Sequence, residues 1–115
     1  MRTSTLLALS LLLAQPAAAD ERKLPGAEIK AALADHVFAG SNDGRAVEQS
    51  FDASGRTLYT EDGNASQGLW EVRGDQYCSQ WPPHDAWSCY DMTADGKTVT
   101  FISSSGVRYV MTIAS

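Results

Sequence analysis

Turn-forming residues recur along residues 37–115 at roughly 10-residue intervals, and this spacing limits the possible folds more than any other feature of the chain. Between the turns, hydrophobic and polar residues alternate with a period of two, most clearly at 97–103 and 107–113. Such alternation is typical of antiparallel strands with one buried and one solvated face. The turn signals are Asn42-Asp43-Gly44, Ser54-Gly55, Asp62-Gly63-Asn64, Gly74-Asp75, Asp95-Gly96 and Ser105-Gly106.

The pattern predicts a mainly β domain over residues 25–115, built as a small antiparallel meander or barrel of about eight strands with one short N-terminal helix. A chain of this length supports one modest hydrophobic core, so we expect a single domain. The predicted strands span residues 37–40, 46–52, 57–61, 67–73, 76–81, 86–92, 97–103 and 107–113.

The helix is predicted directly after Pro25, a residue that suits the first turn of a helix. Ile29, Ala32 and Leu33 recur at the spacing of one helical face and give an apolar stripe. The helix is expected to end near Asp35 or His36, and the His36 side chain would then interact with the negative end of the helix dipole.

The N-terminal segment has the features of a bacterial secretory signal peptide. Arg2 supplies a positive charge, and residues 6–14 form an apolar stretch too short to cross a bilayer. Pro16 and the alanines that follow it give a cleavage site, with the cut expected after Ala19. We therefore expect a periplasmic or secreted protein in which residues 20–24 are a flexible polar lead-in.

The chain is acidic, with a net charge of −5 at neutral pH, and this charge limits the classes of partner that it can bind. A nucleic acid or an anionic membrane surface needs a basic face, so neither is an expected partner. No apolar stretch after residue 19 has the length of a membrane helix, and Asp20 stands where a lipid-bearing cysteine would. No membrane anchor is therefore expected.

Cys78 and Cys89 are the two cysteines of the chain. In an oxidising compartment such a pair predicts a structural disulfide, whereas its spacing fits neither a zinc site nor a redox motif. If the two face each other across a hairpin, Tyr77 faces Tyr90 on the core side of the sheet. The disulfide would then lie on the outer face. We expect no metal and no cofactor.

Residues 81–87 form a candidate binding loop. The loop is rich in aromatic residues, restricted by two prolines and fixed at its base by the expected disulfide, so it could bind a partner at low entropic cost. Alternatively, its two tryptophans simply cover the open end of the sheet. An adjacent histidine and aspartate offer too few ligands for a metal site. The residues concerned are Trp81, His84, Asp85 and Trp87.

Gly68-Leu69-Trp70 matches the short GxW element and resembles lipocalins and related ligand-binding barrels. In those proteins the element lies on the first strand, whereas here it lies in mid-chain. The resemblance implies a closed barrel that carries a small apolar ligand. Such a carrier predicts an apolar cavity of a few hundred Å³. The expected lining is Trp70, Tyr77, Tyr90, Phe101 and Met111.

A wider pattern starts with Gly68-Leu69-Trp70-Glu71-Val72-Arg73-Gly74-Asp75 and passes through the two cysteines. It continues through the strand at Val99-Thr100-Phe101 and ends at Gly106-x-Arg108. This pattern resembles a family of small exported proteins of unknown function that is frequent in alphaproteobacteria. The resemblance covers most of the chain after the signal segment. It implies no established activity.

Ser105-Gly106-Val107-Arg108-Tyr109 resembles the SGxxY element of bacterial periplasmic inhibitors of C-type lysozyme. Those inhibitors are small disulfide-bearing β barrels that insert a loop into the lysozyme cleft. The resemblance implies an inhibitory role for Ser105 and Tyr109. The other interpretation of this segment is an ordinary hairpin turn.

These features lead to three functional expectations, of which the first is an exported, non-enzymatic module that binds an unknown envelope protein or a small ligand. The second is an inhibitor of a lysozyme or a protease that acts through an exposed loop. The third is a lipocalin-like carrier of a small apolar ligand. No catalytic motif is present, so we do not expect an enzyme. A cavity distinguishes the carrier, and a protruding loop distinguishes the inhibitor.

Overall fold

The computed structural model describes residues 21–115, so the predicted signal peptide and its cleavage site lie outside the described residues. A short strand, β1 (Arg22–Lys23), precedes the helix α1 (Gly26–Leu33). No helix in the described part is long and apolar enough to cross a membrane. The remaining strands are β2 (His36–Asn42), β3 (Arg45–Phe51), β4 (Arg56–Glu61), β5 (Asn64–Arg73), β6 (Gln76–Gln80), β7 (Trp87–Asp95), β8 (Thr98–Ile102) and β9 (Arg108–Ile113).

Strands β2 to β9 form a closed antiparallel barrel in which every strand pairs with its neighbours in the sequence. Closure comes from β9 returning to β2, where Ile113 lies opposite Phe38 and Met111 lies opposite Gly40. Beyond the end of β9, the Ser115 carbonyl accepts a backbone hydrogen bond from Val37 of β2 at 2.8 Å. The predicted mainly β fold with about eight strands and one short helix is therefore confirmed.

The helix ends earlier than predicted, and His36 is not a helix-terminal residue. The last helical residue is Leu33, and Asp35 then adopts a left-handed φ of 62°. The Asp35 N–H donates to the Phe51 carbonyl at 2.6 Å, which turns the chain into the barrel. His36 is consequently the first residue of β2, paired with Phe51, and the predicted interaction with the helix dipole is wrong.

Residues 21–24 contain more structure than the flexible lead-in predicted for 20–24. The five-residue strand β6 leaves part of the β7 edge without a partner, and β1 occupies that edge, with Lys23 opposite Thr93. The next residue, Leu24, donates a backbone hydrogen bond to Met92 at 2.8 Å and is buried. This short strand therefore directs α1 across one end of the barrel, where Ile29 and Leu33 are fully buried.

Phe51 is the centre of the core at the end of the barrel that α1 closes. Its ring is surrounded by four other aromatic rings, with centroids 5.6–6.2 Å away and mostly edge-to-face. Edge-to-face pairs at such distances are favourable beyond the area that they bury. The surrounding rings are Phe38, Trp70, Tyr77 and Phe101.

The register predicted for the β6–β7 hairpin is present, with Tyr77 opposite Tyr90 and Cys78 opposite Cys89. The two cysteines are joined as a disulfide on the outer face of the sheet. Although it faces outward, Cys78 is completely buried. The neighbouring Arg73 guanidinium stacks over the Trp87 ring, 4.5 Å from its centroid, and covers this part of the outer face.

We predict that Phe51→Ala lowers the free energy of unfolding by about 3–5 kcal/mol, because it leaves a cavity at the centre of the aromatic core. Urea denaturation followed by circular dichroism measures the change. The control is Val107→Ala, since Val107 is 48% exposed and its truncation is expected to stay within about 0.5 kcal/mol. Equal effects of the two substitutions would disprove the central role of Phe51.

Candidate functional site

The end of the barrel opposite α1 contains a cavity of about 630 Å³ that is open to solvent. The hairpin turns at Asp43-Gly44 and Asp62-Gly63 surround its mouth, together with the 81–86 loop and the turn at 103–106. The volume lies within the range typical of sites for small organic molecules. One end of the barrel is therefore packed, and the other end is hollow.

The hollow half results from the sizes of the inward-facing side chains. Toward the mouth, inward positions carry the small residues Gly40, Ser66, Gly68 and Ser79, all of which line or border the cavity. Toward the helix, inward positions carry large aromatic and aliphatic side chains. Because strand number and stagger set the diameter of a barrel, small side chains leave space that the backbone cannot close.

All four tyrosines of the chain line the cavity: Tyr59, Tyr77, Tyr90 and Tyr109. Burial raises the pKa of Tyr77 well above its usual value, and hydrogen bonds to Ser79 and Gln49 oppose this only in part. Burial is also the main cause of the raised pKa values of Tyr59 and Tyr90. The phenol groups of Tyr59, Tyr77 and Tyr90 are thus held neutral and can act as hydrogen-bonding groups at neutral pH.

The described lining contains no lysine, arginine, aspartate or glutamate, and His84 at the mouth is its one imidazole. The Arg45–Glu61 ion pair lies at the rim of the cavity, at inward-facing positions of β3 and β4, where Tyr59 donates to a Glu61 carboxylate oxygen at 2.9 Å. These hydrogen bonds hold the pKa of Glu61 below its usual value, with that from Tyr59 the largest contribution. The lining itself is therefore aromatic, polar and without an ionic side chain, whereas the rim carries the paired Arg45 and Glu61.

Gln49 is a buried polar residue on the cavity wall, only 7% exposed. Its side-chain Nε2 donates to Thr57 Oγ1 at 2.9 Å and approaches the Tyr77 hydroxyl at 3.5 Å. Sequence reasoning missed Gln49, although a signal was present. It lies between Val47 and Phe51 at inward positions of β3, so strand alternation alone directs a polar side chain into the barrel.

Four of the five residues predicted to line a cavity do so, namely Tyr77, Tyr90, Phe101 and Met111. Trp70 does not, because it lies in the packed half of the barrel. Its indole Nε1 donates to the Asp52 carbonyl at 2.9 Å, and the Lys30 ammonium lies 5.2 Å from its ring centroid. The lining is mainly apolar, but it also contains amide and hydroxyl groups, among them those of Gln49 and Ser79.

The predicted binding loop is divided by the barrel wall. Trp81 lines the cavity, with its indole Nε1 donating to Ser79 Oγ at 3.1 Å and its ring 6.1 Å from that of Tyr59. Its ring also lies against Gly68, where an added Cβ would come within 2.6 Å of it. Trp87 is on the outer face beneath an arginine, so the two tryptophans do not form one surface.

His84 and Asp85 have different positions in the same loop. His84 lines the mouth, and its backbone N–H donates to the Trp81 carbonyl at 2.9 Å. The Asp85 carbonyl accepts from Gln80 Nε2 at 2.8 Å, while the residue as a whole is exposed. Within residues 21–115, no group of three or more His, Cys, Asp or Glu side chains could hold a metal ion.

The two residues of the predicted inhibitor element also have separate positions. Ser105 lies in the turn between β8 and β9, where its hydroxyl is 3.0 Å from that of Ser103. Tyr109 is on β9, where it lines the cavity and packs edge-to-face on Tyr90 at a centroid distance of 6.2 Å. One residue of the pair therefore belongs to a turn and the other to the cavity wall.

Comparison of the chain with protein-family models, with curated proteins and with solved structures finds no match. The resemblances at residues 68–70, 68–108 and 105–109 therefore stay predictions. The cavity and its lining are the observations from which a function can be inferred.

We predict that the stability of the protein falls above pH 10, because Tyr77 stays protonated when folded but ionises near pH 10 when unfolded. Its contribution to stability is fully present below pH 10 and is lost as the pH rises further, by about 1.4 kcal/mol per pH unit. Urea denaturation at several alkaline pH values should show a shallower decline for Tyr77→Phe than for the wild type. An identical slope in the two proteins contradicts the burial of this phenol.

Proposed function

We propose that this protein is an exported, non-enzymatic binding protein that holds one small organic molecule in the open end of its barrel. The cavity of about 630 Å³ at that end is the observation that carries the proposal. A concave, partly apolar space of this size is typical of a site for a small organic molecule.

The cavity is preorganised, which favours binding because few groups need to be ordered when a ligand enters. Barrel closure fixes the strands that form the wall. The disulfide between β6 and β7 constrains the 81–86 loop, and that loop contributes Trp81 and His84 to the mouth. The same disulfide supports the exported location, since such bonds persist in oxidising compartments.

The positions of the aromatic residues favour a small ligand over a protein partner. Trp81 and Tyr109, which the sequence offers as contacts for a partner or a target enzyme, both line the cavity. Trp87, the remaining aromatic residue of the loop, is stacked under Arg73 on the opposite side of the sheet. Like the lipocalin-like expectation, the proposal places the ligand inside the barrel. The amide and hydroxyl groups in the mainly apolar wall favour a ligand that also carries a polar group.

The test uses N-phenylnaphthylamine, an uncharged probe whose fluorescence rises in an apolar site. We expect saturable binding at one probe per protein. Ser66→Trp places a ring at the cavity mouth and should abolish binding, because Ser66 lines that mouth. Ala65→Trp is the matched control, since Ala65 is the preceding residue of β5, is exposed and does not line the cavity. This variant should bind as the wild type does.

Thermal unfolding of both variants verifies that each is folded before binding is compared. Loss of probe binding in Ser66→Trp alone supports the cavity as the site. Equal binding by the two variants, or no saturable binding by the wild type, overturns the proposal.

A further inference from the structure

The orientation of the Gln49 side chain is determined by the hydrogen bonds around it. Thr57 Oγ1 lies 2.8 Å from the Ser50 carbonyl oxygen, which can only accept a hydrogen bond. The single hydroxyl hydrogen of Thr57 is therefore used on Ser50. Thr57 can then only accept from Gln49, so the group that faces it at 2.9 Å is the amide nitrogen.

The other end of the carboxamide has no partner within residues 21–115. In the part of the chain that the structure describes, the hydrogen bonds of the Gln49 side chain both use Nε2, and none is donated to Oε1. Gln49 is 7% exposed and lines the cavity. A buried carbonyl oxygen without a donor is costly, so this oxygen is a site where water or a ligand in the cavity can donate a hydrogen bond.

The surroundings of this oxygen restrict what can supply that donor. The described lining has no cationic side chain that could balance an anionic ligand. A carboxylate or sulfonate also has no hydrogen to donate, so placing one beside the Gln49 oxygen would bring two acceptors together. The aromatic rings of Tyr77, Tyr90 and Trp81 provide apolar faces for a flat ligand body.

We propose that the cavity selects uncharged, planar molecules that carry an O–H or N–H group, and that Gln49 Oε1 accepts a hydrogen bond from this group. Thr57 is a positioning residue, since it holds the amide so that the oxygen is available to the ligand. The inference rests on the proposed function, because it names the ligand class of the same cavity. It also predicts that anionic amphiphiles such as fatty acids bind poorly.

The test compares three ligands of nearly the same size by titration calorimetry. Naphthol has an O–H donor, methoxynaphthalene replaces the donor with an ether, and naphthoate replaces it with a carboxylate. We expect the wild type to bind naphthol about tenfold more tightly than methoxynaphthalene, and naphthoate more weakly still. The tenfold ratio corresponds to one buried acceptor left without a donor.

Two substitutions test whether the preference for naphthol depends on the side-chain amide of Gln49. Gln49→Met keeps the length of the side chain but removes its oxygen, so the two neutral ligands should bind about equally. Thr57→Val frees the amide to rotate and should reduce the naphthol preference by severalfold. The matched control is Thr60→Val, which makes the same change at an outward position of β4 that does not line the cavity. This variant should keep the wild-type preference.

The outcomes separate the two proposals. If methoxynaphthalene binds the wild type as tightly as naphthol, or if Gln49→Met and Thr57→Val both keep the preference, the role of Gln49 is overturned while ligand binding stands. If neither neutral ligand binds the wild type, the proposed function fails together with the inference. Should Gln49→Met not fold, Thr57→Val and its control decide the question.

Discussion

The pairing of β9 with β2 is the interaction on which the rest of the structure depends. It joins the last strand of the meander to the first and leaves the eight main strands without a free edge. Once the barrel is closed, its diameter is set by the strands, and the interior can only be filled by side chains. The Phe51 cluster and α1 fill one half. Small inward residues such as Gly40 and Ser79 leave the other half open.

A polar group inside such a barrel is stable only if its hydrogen bonds are satisfied. Gln49 meets this condition on one side, where its amide nitrogen donates to Thr57. Gln49 also lines a cavity large enough to admit a ligand or water, and no donor within residues 21–115 bonds its carboxamide oxygen. The cavity and the unpaired acceptor therefore occur together, and both favour a small ligand inside the barrel.

Much of the architecture could be predicted from the sequence because it depends on local signals. Turn residues and alternation located all eight barrel strands, and the cysteine pair determined the register of Tyr77 with Tyr90. That register also placed Trp81 and Trp87 on opposite faces, which limits any role for them as one surface. The export signal stays a prediction, because it lies outside the described residues.

The incorrect predictions for cavity residues have a common physical origin. Alternation along a strand distinguishes inward-facing from outward-facing side chains, but it does not say how far along the barrel axis a side chain lies. Trp70 faces inward as predicted, yet it is near α1 instead of in the cavity. Gln49 also faces inward by strand alternation. Its place on the cavity wall, however, depends on the stagger of β3 against its neighbours. Strand β1 was missed because two residues carry no periodicity, and their pairing with β7 is long-range.

The most direct test of the account is an NMR titration of isotope-labelled protein with naphthol, in which the side-chain amide and indole signals are followed. The account predicts that the Gln49 amide and the Trp81 indole shift in a saturable way, whereas the Trp87 indole, on the outer face, does not. Shifts at Trp87 with no change at Gln49 and Trp81 would contradict it, because the ligand would then be bound outside the barrel.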